Sequence, residues 1–179
     1  MAVPAIQAIS YCMNSQELRN MYANLLATSM VSGKKENAHP SFVEIIKQLT
    51  PDEAKLLKKI SEMGNSFPLV DVKLHTNDGG FITEVHNFTL IAEGVCDYPN
   101  KVFTYIDNLV RLKLIDIPHG VKLNNDDIYF QIESNAEIQK LINSPIPKGF
   151  RWEIVRKKFE VTQYGDCFWE TCVKGVSNE

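Results

Sequence analysis

A stretch near the middle of the chain, residues 97–118, constrains the fold most. Its sequence is DYPNKVFTYIDNLVRLKLIDIP, in which apolar residues recur at helical spacing and polar residues take the opposite side. The apolar positions are Val102, Phe103, Ile106, Leu109, Val110 and Leu112. Asp97 is suited to cap this helix, and Pro99 suits its first turn because a missing N–H costs nothing there. A short strand at 114–117 follows at once, and a helix that runs directly into a strand is typical of a winged helix.

Length and composition are those of an ordinary soluble protein. The chain has 179 residues, 44% hydrophobic and 23% charged, which is enough for one domain or one domain with a helical preface. A net charge of −3 gives no general attraction to nucleic acid or to an anionic membrane. No apolar run approaches the ~20 residues that span a bilayer, and no charged-then-apolar leader opens the chain. We therefore expect a cytoplasmic protein with no membrane partner.

Three helices are predicted in the first third of the chain. Residues 18–30 carry a broad apolar face, and Asn14 with Glu17 forms a capping pair before it. Ser41 with Glu44 forms a second capping pair before a short apolar helix. The clearest start is the sequence at 50–53, Thr-Pro-Asp-Glu, which places a cap, a first-turn proline and a box-closing glutamate in order.

Strand patterns follow these helices. Apolar residues alternate with polar ones at Val70, Val72 and Leu74, which predicts a half-buried strand. A turn at 77–80 leads to a returning strand at 81–85. Two further helices and one extended segment are predicted at 87–93, 126–143 and 150–161. Thr162 is suited to cap a last helix.

Together these elements predict an α+β fold that is mostly helical. A helical N-terminal layer, residues 1–49, packs on a winged-helix-like domain, residues 50–179, with insertions near 65–86 and 119–150. Without the insertions, the element order is that of a winged helix-turn-helix with a small antiparallel sheet. The two helices of the motif would be the segments around Phe88 and Tyr98. A generic α+β domain with the same element order is the alternative.

Four blocks of the sequence resemble one known family. They are LRNMYANLLATSM at 18–30, HPSFVEIIKQLTPDEAKLL at 39–57, YIDNLVRLKLI at 105–115 and VTQYGDCFWETCV at 161–173. In this order they are similar to the blocks of Abi-alpha, the abortive-infection alpha family, and they span nearly the whole chain. The resemblance implies a bacterial protein with a role in phage defence by abortive infection. No activity is defined for the family as a whole, so the resemblance implies no catalytic residue.

Two features depart from the family pattern. Lys113 stands where the family, like many winged helices, favours glycine after the helix. Members also often carry residues upstream of the segment where this chain begins. An effector activity in such residues would make this chain the regulatory part.

The polar side of the central helix and the last predicted strand supply the candidate nucleic-acid contacts. These are Lys101, Thr104, Asn108 and Arg111 on the helix, and Arg156, Lys157 and Lys158 on the strand. A recognition helix presents such a side to the major groove. However, the charges cancel to zero across residues 97–112, and residues 151–160 carry a net charge of only +2. Because a binder making ~6–10 phosphate contacts needs more basic residues, a solvated helix face is the favoured alternative.

No sequence motif indicates catalysis, a cofactor or a metal. The histidines are isolated and without ligand spacing: His39, His75, His86 and His119. We expect His39 to belong to the turn before Pro40 and Ser41. The cysteines also lack paired spacing, so we expect reduced and mostly buried thiols at Cys12, Cys96, Cys167 and Cys172.

The apolar face of the first helix is a candidate partner or dimer surface. Its residues are Leu18, Met21, Tyr22 and Leu25. Methionine and tyrosine are frequent in protein contacts, which favours that interpretation. The alternative is core packing against the second helix, which is the more usual role of an amphipathic face.

These observations lead to three functional hypotheses. The first, implied by the resemblance, is a non-enzymatic component of phage defence that acts through protein contacts or sensing, with a protein partner or a second copy. The alternative is a winged-helix transcriptional regulator that binds DNA. An enzyme or toxin comes third, because it would depend on upstream residues alone.

Overall fold

The computed structural model describes residues 15–31, 33 and 35–174. In this part the chain is about 49% helical, with seven α-helices and a curled antiparallel sheet of four strands, which confirms the α+β class. The helices are α1 (Gln16–Met30), α2 (Ser41–Lys47), α3 (Pro51–Met63), α4 (Val102–Arg111), α5 (Asp126–Glu133), α6 (Ala136–Ile142) and α7 (Gln163–Phe168). The strands are β1 (Ser66–His75), β2 (Phe81–Phe88), β3 (Ile115–Asp116) and β4 (Arg151–Val161). A π-helical turn, Trp169–Lys174, continues α7.

Helix α3 starts as its sequence predicts. The Thr50 side chain accepts a hydrogen bond from the Glu53 N–H at 3.2 Å, and the Glu53 carboxylate accepts one from the Thr50 N–H at 2.6 Å. This capping box satisfies two N–H groups that the first turn of a helix leaves without partners. Ser15 caps α1 by accepting from the Leu18 N–H. The predicted capping residue Asn14 lies outside the described residues.

The sheet is built around β1, in the order β2-β1-β4-β3. Strands β1 and β4 pair along ten residues, from Ser66 with Glu160 to His75 with Arg151. The predicted hairpin of β1 and β2 is confirmed, with irregular register between Val70 and Lys73. The segment predicted as an insertion near 65–86 therefore supplies the central strand and one edge of the sheet.

The winged helix-turn-helix is not confirmed. The helix predicted at 87–93 is wrong, because β2 continues through Phe88 and an irregular turn follows. Asn87 has a φ of 54°, a left-handed conformation that interrupts regular structure, and its N–H donates to the buried Asp71 carboxylate at 2.9 Å. A tertiary hydrogen bond thus replaces the local helix. The first helix of the proposed motif is missing as a result.

Two other helix predictions need correction. Asp97 does not cap α4, which begins at Val102 after a 3₁₀ turn, Pro99–Lys101. The Asp97 carboxylate instead pairs with Lys55 at 2.8 Å. The helix predicted at 126–143 is divided in two, because Asn135 caps a new helix by accepting from the Glu137 N–H.

One large core lies between the helices and one face of the sheet. It contains residues from α1 to α4, from β1 and β4, and from α7, so the segments on both sides of residue 50 share it. Aromatic rings connect these layers: Phe67 stacks on Phe159 at 5.0 Å, and Phe42 meets Phe168 edge to face at 5.3 Å. A smaller cluster covers the other face, where Tyr129 and Ile132 of α5 pack on Val70.

The turn after α4 is held against the start of α7. Thr162 caps α7 as predicted, accepting from the Gly165 N–H at 2.9 Å, and its hydroxyl donates to the Lys113 carbonyl at 2.6 Å. A Cβ at Gly165 would collide with the Leu114 carbonyl oxygen, so only glycine allows this close approach. Lys113 has a φ of 60°, a left-handed conformation that glycine adopts without strain.

Candidate functional site

One carboxylate at the N-terminus of α3, that of Asp52, binds the turn before α4. Asp52 is 5% exposed and accepts three hydrogen bonds at 2.9 Å, from the N–H groups of Asp97 and Tyr98 and from the Tyr105 hydroxyl. Burial alone would raise the pKa of Asp52, but these hydrogen bonds and the charge of Lys55 outweigh it and lower the pKa. The pKa of Tyr105 is raised, mainly by burial and secondarily by the hydrogen bond from its hydroxyl to Asp52. A buried carboxylate with these hydrogen bonds within the chain indicates a structural anchor, a residue that holds α3 and the turn before α4 together.

Two of the predicted nucleic-acid residues on α4 are bonded to the turn between α2 and α3. The Asn108 amide donates to the Glu53 carboxylate at 2.8 Å and to the Gln48 carbonyl at 3.0 Å. Arg111 donates to the Gln48 side chain at 2.9 Å and to the Asn108 side chain. Their hydrogen-bonding groups thus hold α4 in place, although Arg111 remains exposed.

The other two helix candidates, Lys101 and Thr104, lie at the start of α4 and are exposed. The Lys101 ammonium sits 5.1 Å from the centre of the Tyr98 ring, in a cation–π contact. Tyr98 is 61% exposed, and Phe103, which sequence spacing places on the buried stripe, is 50% exposed. We call these four residues, Tyr98, Lys101, Phe103 and Thr104, the α4 surface.

The three candidate nucleic-acid residues on β4 all have acidic partners within the chain. Arg156 pairs with Glu133 and Asp126, both at 2.5 Å, and its guanidinium lies over the Tyr129 ring. Lys158 pairs with Glu160 at 2.5 Å. Lys157 pairs with the buried Asp71 at 2.7 Å. Their charges are therefore largely neutralised where they stand.

The predicted partner residues of α1 lie in the core. Leu18, Met21, Tyr22 and Leu25 are 6%, 3%, 0% and 2% exposed, respectively. Tyr22 packs against α2, and its hydroxyl donates to the Val43 carbonyl. The four side chains are interior to the chain, as the alternative interpretation expects.

A polar junction joins β1, β2, β4 and α4. The Asp71 Oδ1 atom accepts a hydrogen bond from the Asn87 N–H at 2.9 Å, and it lies 2.7 Å from the Lys157 ammonium and 3.3 Å from the His86 Nδ1 atom. The Asn87 side chain then accepts from Lys157 at 2.6 Å and donates to Asp107 at 3.1 Å. A cavity of about 410 Å³ opens beside these residues. These residues could not be connected from the sequence, because up to 86 positions separate them and no motif has that spacing.

A second polar cluster forms where α2 begins, from residues far apart in the chain. The His39 Nδ1 atom lies 2.6 Å from the Ser41 Oγ atom and accepts a hydrogen bond from the Ser41 N–H at 3.2 Å. The Ser41 Oγ atom also hydrogen-bonds the Tyr164 hydroxyl. The side chain of Ser41 does not cap α2, and the His39 imidazole takes that role. This confirms that His39 belongs to the turn before the helix.

Aromatic packing orients this cluster. The His39 ring lies against Phe42, at 5.9 Å between ring centres, and edge-on to Tyr164 at 6.2 Å. His39 is exposed, whereas Ser41 and Tyr164 are partly buried. The sequence predicts only local structural roles for His39 and Ser41, in a turn and in a helix cap. Tyr164, 123 positions after Ser41, could not be linked to them without the fold.

The described residues contain neither a cluster suited to a metal ion nor a helix suited to span a membrane. In the described part of the chain, no three His, Cys, Asp or Glu side chains come close enough to hold a metal ion. Among the same residues, no helix is both long and apolar enough to cross a membrane. The three described cysteines are free, and Cys96 and Cys172 are buried whereas Cys167 is exposed, which agrees with the expectation of mostly buried thiols. Burial raises the pKa of Cys96 to about 11. Cys12 lies outside the described residues.

Comparisons with known proteins place these sites in context. A sequence model of the family described as abortive infection alpha matches residues 1–172. No curated protein matches the chain. A solved structure of an uncharacterized protein from the marine bacterium Alcanivorax borkumensis SK2 is similar, with 17% sequence identity and a TM-score of 0.43. The similarity covers 78% of this chain and 96% of that one.

Proposed function

The chain belongs to the abortive infection alpha family, and from this membership we propose that it is a component of bacterial phage defence that acts through contacts with another protein. The family match extends over 172 of 179 residues and carries the proposal. It covers all seven α-helices and all four strands, including the anchor at Asp52 and the exposed start of α4. The proposed contact site is the α4 surface.

Several properties of the α4 surface support a protein contact. Two aromatic side chains are at least half exposed to solvent, Tyr98 at 61% and Phe103 at 50%. Aromatic residues are enriched at protein interfaces, and tyrosine is among the residues that contribute most to binding energy there. The hydrogen bonds of Asp52 hold the backbone beneath Tyr98, so the surface is already ordered before a partner binds.

DNA binding has less support. Arg156, Lys157 and Lys158 would have to give up acidic partners before they could neutralise phosphates. A gel shift at low salt with random-sequence duplexes tests this directly, and we expect no retarded band. Salt-dependent retardation that weakens when Lys101 is replaced by alanine would instead support the regulator hypothesis.

A phage plaque assay tests the proposed function. A bacterial strain that lacks the gene would be complemented with the wild-type gene, with a double variant of the α4 surface (Tyr98→Ala, Phe103→Ala), or with Phe130→Ala as a control. Phe130 is 68% exposed on α5, outside the proposed contact site, so its variant shows the effect of removing an exposed aromatic ring elsewhere on the surface. We expect the wild type and the control to reduce plaque numbers and the double variant to lose this effect.

Two results would contradict the proposal at different levels. If the wild-type gene gives no protection across a broad phage panel, the defence role is wrong. If the double variant folds, as judged by its melting temperature, and protects as well as the wild type, the α4 surface is not the contact site.

A further inference from the structure

The hydrogen bonds around Ser41 determine where its proton points. The Ser41 N–H donates to the His39 Nδ1 atom, so that nitrogen carries a lone pair and no proton. The hydroxyl of Ser41 lies 2.6 Å from the same nitrogen and must therefore donate to it. Since Ser41 has given its own proton to this bond, the Tyr164 hydroxyl is the donor in its bond to Ser41 Oγ.

This chain of donors, from Tyr164 through Ser41 to His39, has the geometry of an activated nucleophile. A serine becomes reactive when a neutral imidazole within hydrogen-bond distance can take its proton. A donor on the serine oxygen stabilises the negative charge that develops as the proton leaves. Capping of α2 accounts for the contact between the Ser41 N–H and His39, but it requires neither the hydroxyl on the same nitrogen nor the bond from Tyr164.

We propose that Ser41 is a nucleophilic serine, with His39 as its general base, that accepts an acyl or phosphoryl group from an activated ester. In the reaction, the Ser41 Oγ atom forms a bond to the carbonyl carbon or the phosphorus, and its proton passes to His39 Nδ1. The bond to the leaving group breaks, and the leaving oxygen takes the proton from the imidazolium. His39 is exposed and Ser41 partly exposed, so a surface-bound ester can reach them. This activity is independent of the contact function proposed above.

A fluorophosphonate probe tests the proposal on the full chain. The Ser41 Oγ–phosphorus bond would form while the phosphorus–fluorine bond breaks, and fluoride and the serine proton would leave. We expect mass spectrometry to find a single adduct on the peptide that contains Ser41. Ser41→Ala should abolish the adduct, and prior unfolding in guanidinium should do the same.

The His39→Asn variant distinguishes the proposed role of His39 as a general base from its hydrogen bond to the Ser41 N–H at the start of α2. The asparagine side-chain oxygen can accept from the Ser41 N–H, as helix caps commonly do, but it cannot take a proton. We expect this variant to melt at the wild-type temperature and to react at least about 100-fold more slowly. Ser61→Ala is the matched control, because the Ser61 hydroxyl donates to the Lys58 carbonyl and has no base; it should react like the wild type.

Two outcomes would overturn the proposal. The first is the absence of an adduct at Ser41 in the folded wild-type protein. The second is a folded His39→Asn variant that reacts as fast as the wild type, because the imidazole would then have no role as a base.

Discussion

The Asp52 carboxylate accepts a 2.9 Å hydrogen bond from the Tyr105 hydroxyl, joining the first turn of α3 to the middle of α4. The same carboxylate holds the backbone of Asp97 and Tyr98. The position of α4, and with it the α4 surface, therefore depends on one acidic side chain that lies 53 residues before Tyr105.

Replacing Tyr105 with phenylalanine should destabilise the protein by about 2 kcal/mol. The change keeps the buried ring but removes a hydrogen bond to a charged group, which is worth about 1.5–3 kcal/mol. Urea unfolding followed by circular dichroism measures the effect. Tyr98→Phe is the control, because that side chain is largely exposed and should change stability by less than about 0.5 kcal/mol. Equal effects of the two changes would contradict the role of the bond.

The stability contributed by Asp52 should disappear in acid. Its folded-state pKa is lowered, so the contribution is fully present above the ordinary value near 3.8 and is lost as pH falls through the lower folded-state value. We expect Asp52→Asn to be less stable than the wild type at pH 7 and the difference to shrink below about pH 4. Chemical unfolding at several pH values measures this. A difference that stays constant down to pH 2 would contradict it.

Lys113→Gly should stabilise the protein by about 0.5–1 kcal/mol. Lys113 is exposed and has a φ of 60°, where a Cβ is strained and glycine is not. For a chain of this size the gain corresponds to a rise of about 1–4 °C in melting temperature. Lys122→Gly, at an exposed position without a positive φ, should give no gain. A lower melting temperature for Lys113→Gly would show that its side chain makes a stabilising contact.

Lys157→Met should destabilise the protein by about 3 kcal/mol, because it leaves the buried Asp71 without its cation. Lys158→Met removes the same charge from a pair whose acidic partner, Glu160, is 41% exposed, so it should cost less than about 1 kcal/mol. Denaturant titration of both variants provides the comparison. Equal small effects would mean that the Asp71–Lys157 pair contributes little to stability.

Local patterns in the sequence were enough to predict the elements that local physics governs. The capping box at Thr50, the Thr162 cap and the β1–β2 hairpin all depend on residues within a few positions of each other. Lys113 was noted from the sequence only as a departure from an expected glycine, and its left-handed φ of 60° is known from the structure alone. Helical periodicity correctly placed Leu18 and its neighbours on one apolar helix face. It could not decide whether that face packs in the core or binds a partner.

Tertiary structure decided the rest, because distant partners can outweigh local preference. Asn87 lies in a strand with a positive φ, and its N–H donates to the buried Asp71 carboxylate. The helix predicted at 87–93 therefore does not form. Lys157 turned inward to the same carboxylate, although its sequence context indicated an exposed basic strand. Ser41 acquired Tyr164 as a partner only when α7 packed against α2. Periodicity and caps specify where elements start and which side is apolar, whereas the pairing of buried polar groups is settled by the packing that brings them together.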